Sequence, residues 1–470
     1  MPTAVSIPDA PHWLPLLGHA VPLLRDPLAF LSSLPAHGDL VRIGLGPITI
    51  VVVCDLDLTR QVLRHDRIFD KGGPIFERGR EVAGNGLVTC PHSAHRRQRR
   101  LLQPAFHRDR LPAYADMMTE RITAITDSWS DGQILNVINE MQKLTSSTIA
   151  ETLFSSTASE TVLRQIPEDL NAIFSAIFRR TVTPTAVQRL TPGNRAFHHA
   201  IARLRSNVGR ITAERRSEGV DREDLLSALL TARDGENDGQ GLTDTEIYDQ
   251  ITTFFAAGTQ TTATTLTWAL SLLDRHPDIA QRLHTEVDTV LAGHPARHAD
   301  LPRLEYTERV IIETLRLRPP VYLFTRIVTE DTELGGHRLP AGTTVAYSPY
   351  LLHQRPDLHP DPQRFDPDRW GTTESRRALI PFGDGARKCI GDTYAITEAT
   401  LALATITSRW QLHTIPGQDV RPSRSLPVMH PRNLHMRATA RSTHGGICAT
   451  RPAEPEEQTS NQSLHRGLDS

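Results

Sequence analysis

The chain has 470 residues, enough for one large enzyme domain with a sizeable core or for two or three smaller domains. Its 52 Lys and Arg nearly balance 54 Asp and Glu, a net charge of −2, which argues against a dedicated nucleic-acid binder and leaves any electrostatic partner to a local patch. Four cysteines, Cys54, Cys90, Cys389 and Cys448, lie far apart with no C-x-x-C pair, so neither a disulfide framework nor a zinc site is indicated and a reducing, cytoplasmic setting is expected.

The opening stretch, MPTAVSIPDAPHWLPLLGHAVPLLRDPLAF, is apolar in patches, but prolines interrupt it. No run nears the roughly 18 apolar residues of a membrane span, so an extended arm of a soluble protein is expected. Next, LVRIGLGPITIVVVCD alternates and is rich in β-branched residues between glycines, the pattern of a strand pair, with Cys54 a buried core residue. From about Leu56 to Trp410 helical spacing dominates, as in AYADMMTERITAITDSW, VINEMQKLTSSTIAETLF, RQIPEDLNAIFSAIF, IARLRSNVGRITAERRSEG and EDLLSALLTARD.

Within that region PHSAHRRQRRLLQPAFH sets His95 and Arg99 at i, i+4 on one helix face, and Arg96, Arg97 and Arg100 read as a solvated basic face. The run YDQITTFFAAGTQTTATTLTWALSLL is long, apolar and helical, with Ala257, Gly258, Thr259, Gln260, Thr261 and Thr262 at its middle. A mid-helix glycine costs about 1 kcal/mol relative to alanine, so something should compensate. Taken alone, the threonines read as buried hydroxyls bonding their own helix carbonyls. In ERVIIETLRLRPP, Glu313 and Arg316 share a helix face at i, i+3 and can bond each other, a pair also common on solvated helices.

Short strands broken by glycine turns return in VYLFTRIVTEDTELGGHRLPAGTTVAYSPYLLHQ and are expected beside the early pair. Then PFGDGARKCIGD sets Cys389 in a glycine-rich basic turn just before the helical run IGDTYAITEATLALATITSRW. Arg387, Lys388 and backbone N–H groups near a helix N-terminus favour a thiolate, the form that binds metal or attacks. A buried structural cysteine fits those residues equally well. The end, STHGGICATRPAEPEEQTSNQSLHRGLDS, is polar and poor in aromatics and reads as a disordered tail in which Cys448 has no role.

The complete pattern F-x-x-G-x-R-x-C-x-G, met by Phe382, Gly385, Arg387, Cys389 and Gly391, resembles the cytochrome P450 family of haem-thiolate monooxygenases. The resemblance runs from the PDAPHWLPLLGH arm through Arg437. It implies a mainly α fold with small β-sheets, one domain over residues 1–440 followed by the tail 441–470, and haem b held between a long distal helix and the cysteine loop. Cys389 is then the proximal iron ligand, Phe382 and Gly383 lie against the cofactor, and His95, Arg99, Arg326 and Arg387 match propionate positions. Glu313, Arg316 and Arg369 of FDPDRW match a structural network that holds the cysteine loop. On the distal side Ala257 and Gly258 match positions that bulge over the haem and leave room for dioxygen, and Thr261 matches the threonine that hydrogen-bonds it. Gln260 stands where the family usually has a carboxylate, so proton delivery there must run through Thr261, water or another group.

By the same resemblance the substrate pocket is lined from the loop KGGPIFERGREVAGNGLV, from the helix containing Phe174, Ile177 and Phe178, from Phe254 and Ala257, from Val321 to Phe324, and from the turn around Leu426 and Val428. These largely apolar side chains favour a compact hydrophobic substrate, and the overall look resembles bacterial oxygenases of pentalenene-like sesquiterpenes and related secondary metabolites. The chain carries no flavin or nicotinamide fingerprint, so electrons should come from a separate ferredoxin and ferredoxin reductase, steered by Arg96, Arg97, Arg100 and Lys388. A monomer without nucleic acid or membrane span is expected. Two other readings remain at this point: a haem-thiolate peroxygenase or isomerase, which Gln260 leaves open, and a haem sensor or electron carrier, which the apolar pocket disfavours.

Overall fold

The computed structural model describes residues 6–155, 165–166, 168–169, 172–173, 192–236, 239–372, 374–423 and 428–441. Phe174, Ile177, Phe178, Leu426 and the expected tail from 442 onward, with Cys448, lie outside them.

The early strand pair forms as the alternation predicts. Strands β1 (Leu40–Leu45) and β2 (Ile48–Val53) run antiparallel, with Val41 opposite Val52, and turn at Gly46 in the left-handed region. The run Val51, Val52 and Val53 is buried on both faces, so β2 needs a neighbour on its far edge as well. That neighbour is late in the chain: β5 (Thr344–Tyr347) lies parallel to β2, and β4 (Phe324–Val328) lies antiparallel to β5. With β3 (Phe69–Asp70) the sheet order is β1-β2-β5-β4-β3. A second small sheet joins Ile134–Asn136, His435–Ala440 and Trp410–Thr414.

Helices fill the rest. Those that build the site are α1 (Leu56–Arg64), α2 (His92–Leu102), α3 (Leu111–Asp127), α4 (Val137–Phe154), α5 (Asp244–Arg275), α6 (Glu305–Leu317) and α7 (Asp392–Arg409). The ends follow local chemistry. Asp55 accepts the N–H groups of Asp57 and Leu58 at the start of α1, and Thr243 and Glu246 form a reciprocal capping box at the start of α5. Helix α5 is buried on nearly every face and forms the spine against which α4, α6 and α7 pack. Mainly helical architecture with small sheets is therefore what the sequence pattern predicts.

Two expectations need correction. The proline-stiffened arm folds into short helices, Ala20–Arg25 and Pro27–Ser33, the second capped by Asp26 with Pro27 at its first position. The segment KGGPIFERGREVAGNGLV contains a helix, Pro74–Ala83, and is not a plain loop, because Gly73 and Gly84 supply both ends and Pro74 starts it. Among the described residues no helix is long and apolar enough to cross a membrane.

Candidate haem site

The cysteine loop is fixed by its backbone. Cys389 N–H donates to Phe382 O at 2.9 Å, and Gly383 and Gly385 both take positive φ. At Gly385 a side chain is excluded twice over, since a Cβ would lie 2.5 Å from Leu63 O at the end of α1. At Gly383 the same position meets open space.

The Cys389 side chain is exposed, yet the sulfur is surrounded by protein deeply enough that burial raises its thiol pKa above the ordinary range. Both observations hold together if the sulfur faces an internal hollow. The Gly391 N–H bond to the sulfur opposes that shift, as do Arg99 and Lys388 more weakly, while Asp392 adds to it. Burial therefore outweighs the positive surroundings anticipated from the sequence.

Helix α5 shows the same sign of a hollow. Its residues are buried from Ile247 to Phe255 and from Thr262 to Leu273, but Ala257, in mid-span, is exposed and Ala256, Gly258, Gln260 and Thr261 are partly so. Phe106 spans the two sides: its ring meets Phe254 of α5 edge to face at 5.1 Å and lies 3.6 Å from a Cβ position at Gly391. Phe254 is thus core packing around the hollow, 6% exposed, where pocket lining was expected.

The distal residues hold some surprises. Helix α5 is α-helical throughout 257–262, without the expected bulge, and Thr261 Oγ1 donates to Ala257 O at 2.6 Å. The space left by Gly258 is taken by Ile149 of α4, at 3.3 Å from a Cβ position, so close helix packing, not room for dioxygen, accounts for this glycine. Gln260 turns its side chain toward α4, where Gln142 Nε2 donates to its Oε1 at 3.0 Å.

A cluster of basic groups flanks the loop. Arg326 on β4 is 2% exposed and donates only to Thr325 O at 2.8 Å and Tyr347 OH at 3.4 Å; among the described residues no carboxylate pairs with it. Lys71, which the sequence reading did not single out, is held well below the usual ammonium range by burial and by Arg326 and Arg387. Arg326 thus has no carboxylate partner among the described residues, and Lys71, half-buried with its Nζ 4.9 Å from the centre of the Phe76 ring, would regain its charge beside a bound anion. His95 is pushed down to about 3, first by burial and then by Arg387, so at neutral pH it is uncharged. Arg99 reaches the loop itself, donating to Lys388 O at 2.5 Å and to Gln103 Oε1 at 3.1 Å.

For Arg387 the structure gives a different role from the propionate contact implied by resemblance. Its Nη2 lies 2.8 Å from Asp70 Oδ1, its Nε 3.1 Å from Asp66 Oδ2, and its Nη1 donates to Cys90 O at 2.9 Å. Two carboxylates already compensate it, and it straps the loop to β3. The expected partner-steering patch is similarly compensated. Arg97 pairs with Glu246 at 2.5 Å, Arg100 with the fully buried Asp234 at 2.6 Å and Glu236 at 2.7 Å, and Arg96 with Glu236 at 3.7 Å. These arginines tie Asp234, Glu236 and Glu246 to α2.

Behind the loop, Glu313 and Arg316 of α6 form a fully buried bidentate pair at 2.8 and 2.9 Å, and Arg369 Nε lies 3.6 Å from Glu313. Arg316 also donates to His353 O, Pro362 O and Arg364 O, at 2.8 to 3.1 Å. Trp370 Nε1 and Asp366 N–H complete the bonds to Glu313, each at 3.0 Å. His353, buried and uncharged through desolvation, accepts Ile380 N–H at 3.0 Å and so links this network to the start of the cysteine loop. Of the remaining pocket candidates, Val321 and Val428 meet in a β-bridge, and Phe324 stacks on Tyr347 at 5.1 Å.

The residues present fit a haem: a soft sulfur donor on an exposed cysteine, small side chains at the exposed middle of α5, and Arg326 without a carboxylate partner among the described residues. Fold and site together fit a haem protein. The sequence matches the family described as Cytochrome P450 over residues 8–437, and the chain belongs to that family of monooxygenases. It is 46% identical over 438 residues to "Pentalenene oxygenase" of Streptomyces avermitilis, spanning 92% of this chain and 97% of that protein. It is also 46% identical over 420 residues to "Cyclooctatin synthase" and 45% over 414 residues to "Cyclooctat-9-en-7-ol 5-monooxygenase", both of Streptomyces melanosporofaciens; these matches cover 88% and 87% of this chain and 91% and 90% of theirs. Among solved structures, the haem domain of cytochrome P450DA superposes with a TM-score of 0.85 at 28% identity, covering 94% of this chain and 99% of that one.

Proposed function

We propose that this chain binds haem b through Cys389 and inserts one oxygen atom of O2 into a compact apolar terpenoid, with electrons from a separate ferredoxin and reductase. The observation that carries the reading is Cys389, the one exposed cysteine among the described residues: its backbone N–H donates to Phe382 O, its sulfur accepts from Gly391 N–H, and it sits in a loop where Gly385 admits no side chain. The kinship with proteins named for pentalenene and cyclooctatin chemistry supports the substrate class.

When bound, haem iron supplies the redox centre for oxygen activation. The chain's own contributions are separate. Lys71 and Arg326 would hold the propionates, with His95 donating a neutral N–H. Ala257 keeps the facing helix surface low, and Thr261, its hydroxyl hydrogen engaged on Ala257 O, presents lone pairs toward the hollow. Val321 and Val428, joined by their bridge, offer apolar walls that exclude water.

The test is a carbon monoxide difference spectrum of the reduced protein. A thiolate-type band in wild type, lost in Cys389→Ser, supports the reading, and a band that survives the substitution overturns it. Turnover of pentalenene that needs NADH and added redox proteins supports a monooxygenase. Turnover with hydrogen peroxide alone points instead to the peroxygenase reading, which Gln260 leaves open.

A further inference from the structure

The loop 84–89, which leads into α2, is bound to α5 by a buried chain of amides. Leu87 N–H donates to Gln250 Oε1 of α5 at 3.0 Å, Gln250 Nε2 donates to Gln98 Oε1 of α2 at 3.2 Å, and Gln98 Nε2 donates back to Asn85 O at 2.8 Å. Gln250 is fully buried and Gln98 is 3% exposed, so neither amide has water to turn to. Asp249 adds a second tie, its Oδ2 accepting Asn85 N–H at 2.9 Å. The approach is so close that only glycine fits. A Cβ at Gly84 would strike the Asp249 carboxyl, and one at Gly86 would strike Thr253 Oγ1 and lie 2.7 Å from Asp249 O. The far end of the loop belongs to the sulfur side, where Cys90 O accepts from Arg387 Nη1 of the cysteine loop at 2.9 Å. Val88 lies between these two anchorages and is 46% exposed, while Leu87 and Thr89 on either side of it are 7% and 5% exposed. One apolar side chain is thus held out of the packing where the chain crosses from α5 to the cysteine loop, and Gln250 stands two turns before the exposed Ala257 on the same helix.

We propose that Gln250 is a positioning residue for substrate selectivity: through Leu87 N–H and Gln98 it fixes the loop so that Val88 stands as a rigid wall of the hollow between α5 and Cys389. The proposal rests on the haem reading above. An amide is needed at position 250 because the chain of bonds runs one way, accepting from Leu87 and donating to Gln98. A hydrocarbon of similar length does neither, and leaves the Leu87 N–H and the Gln98 Oε1 buried and unpaired. Those two orphaned groups favour a loop lifted from α5 into contact with water. Because Cys90 stays strapped to Arg387, the lift swings Val88 away from α5 and widens the hollow on that side. Gln250, with no exposed surface, does not touch substrate itself.

The test titrates two haem-ligating probes of different size, imidazole and 4-phenylimidazole, into wild type, Gln250→Leu, Gln98→Leu, Val88→Ala and the double variant Gln250→Leu/Val88→Ala as holoenzymes, followed by difference spectra. The readout is the ratio of the two Kd values, from which a general loss of haem or stability cancels. Val88→Ala should shift that ratio about ten-fold toward the larger probe, the effect of trimming methyl groups from the wall of an apolar pocket. Gln250→Leu and Gln98→Leu should each shift it the same way by about three-fold or more, as expected when a buried hydrogen bond that holds the wall is lost. In the double variant the ratio should match that of Val88→Ala alone, since Gln250 acts through that side chain. A purely structural Gln250 would lower the melting temperature and leave the ratio at its wild-type value, which would overturn the proposal. An unchanged ratio in Val88→Ala, a shift toward the smaller probe, or additive shifts in the double variant would overturn it too. Should Gln250→Leu fail to fold, the ratio in Gln98→Leu decides the matter. A wild-type protein that gives no spectral change with either azole would instead overturn the haem reading itself.

Discussion

Gln142 of α4 donates to the side-chain oxygen of Gln260 on α5 at 3.0 Å, which binds the residue at the usual acid position to the neighbouring helix. The contact tolerates a carboxylate, because the Gln142 amide N–H can donate to one equally well. Gln260→Glu should therefore fold normally and keep or raise product formed per O2. A large loss of coupling, measured by oxygen uptake against product, would mean the amide itself has a role.

The buried Glu313–Arg316 pair should be sensitive to removal of either partner. Arg316→Leu leaves Glu313 uncompensated and frees the carbonyls of His353, Pro362 and Arg364. Breaking such a pair costs about 3–5 kcal/mol. Because His353 joins the network to Ile380 N–H, the loss should also appear as a reduced haem-to-protein ratio after purification.

Gly383 and Gly385 offer a matched comparison. Both have positive φ, so alanine at either costs about 1–2 kcal/mol of backbone strain. Only at Gly385 does the new methyl strike backbone, at 2.5 Å from Leu63 O. Gly383→Ala should retain a thiolate-type carbon monoxide spectrum, whereas Gly385→Ala should lose most of its haem.

A pH-dependent stability term follows from Glu398. Its carboxyl is raised from an ordinary 4.5 to about 8, so between those values the unfolded chain has released a proton that the folded chain keeps. Stability must then fall as pH rises from about 4.5 to about 8 and level off above. Urea denaturation of wild type and Glu398→Gln at pH 5 and pH 8 should show this difference shrink or vanish in the variant. An unchanged slope would mean the carboxyl is not held neutral.

Much of the architecture was legible in the sequence, since strong periodicity specifies amphipathic and buried helices locally, as for Val137–Phe154, and β-branched alternation specifies β1 and β2. The cysteine loop was legible because one backbone path needs glycine, an acceptor and sulfur at fixed spacing. The assignment of individual charges was not. Arg387, Arg97 and Arg100 occupy positions suited to a cofactor or a partner, yet each faces carboxylates brought from far along the chain, Asp66 and Asp70 in one case and Asp234, Glu236 and Glu246 in the other.

The sequence by itself determined the family, the sulfur and the helix and strand content, all of which depend on residues near one another in the chain. Tertiary structure alone decided that Arg387 is paired with carboxylates while Arg326 is not, why Gly258 is glycine, and that His353 ties the Glu313–Arg316 pair to the start of the cysteine loop. The reason is that charge compensation and desolvation are set by neighbours in space, and here those neighbours come from helices and strands that only the folded chain brings together.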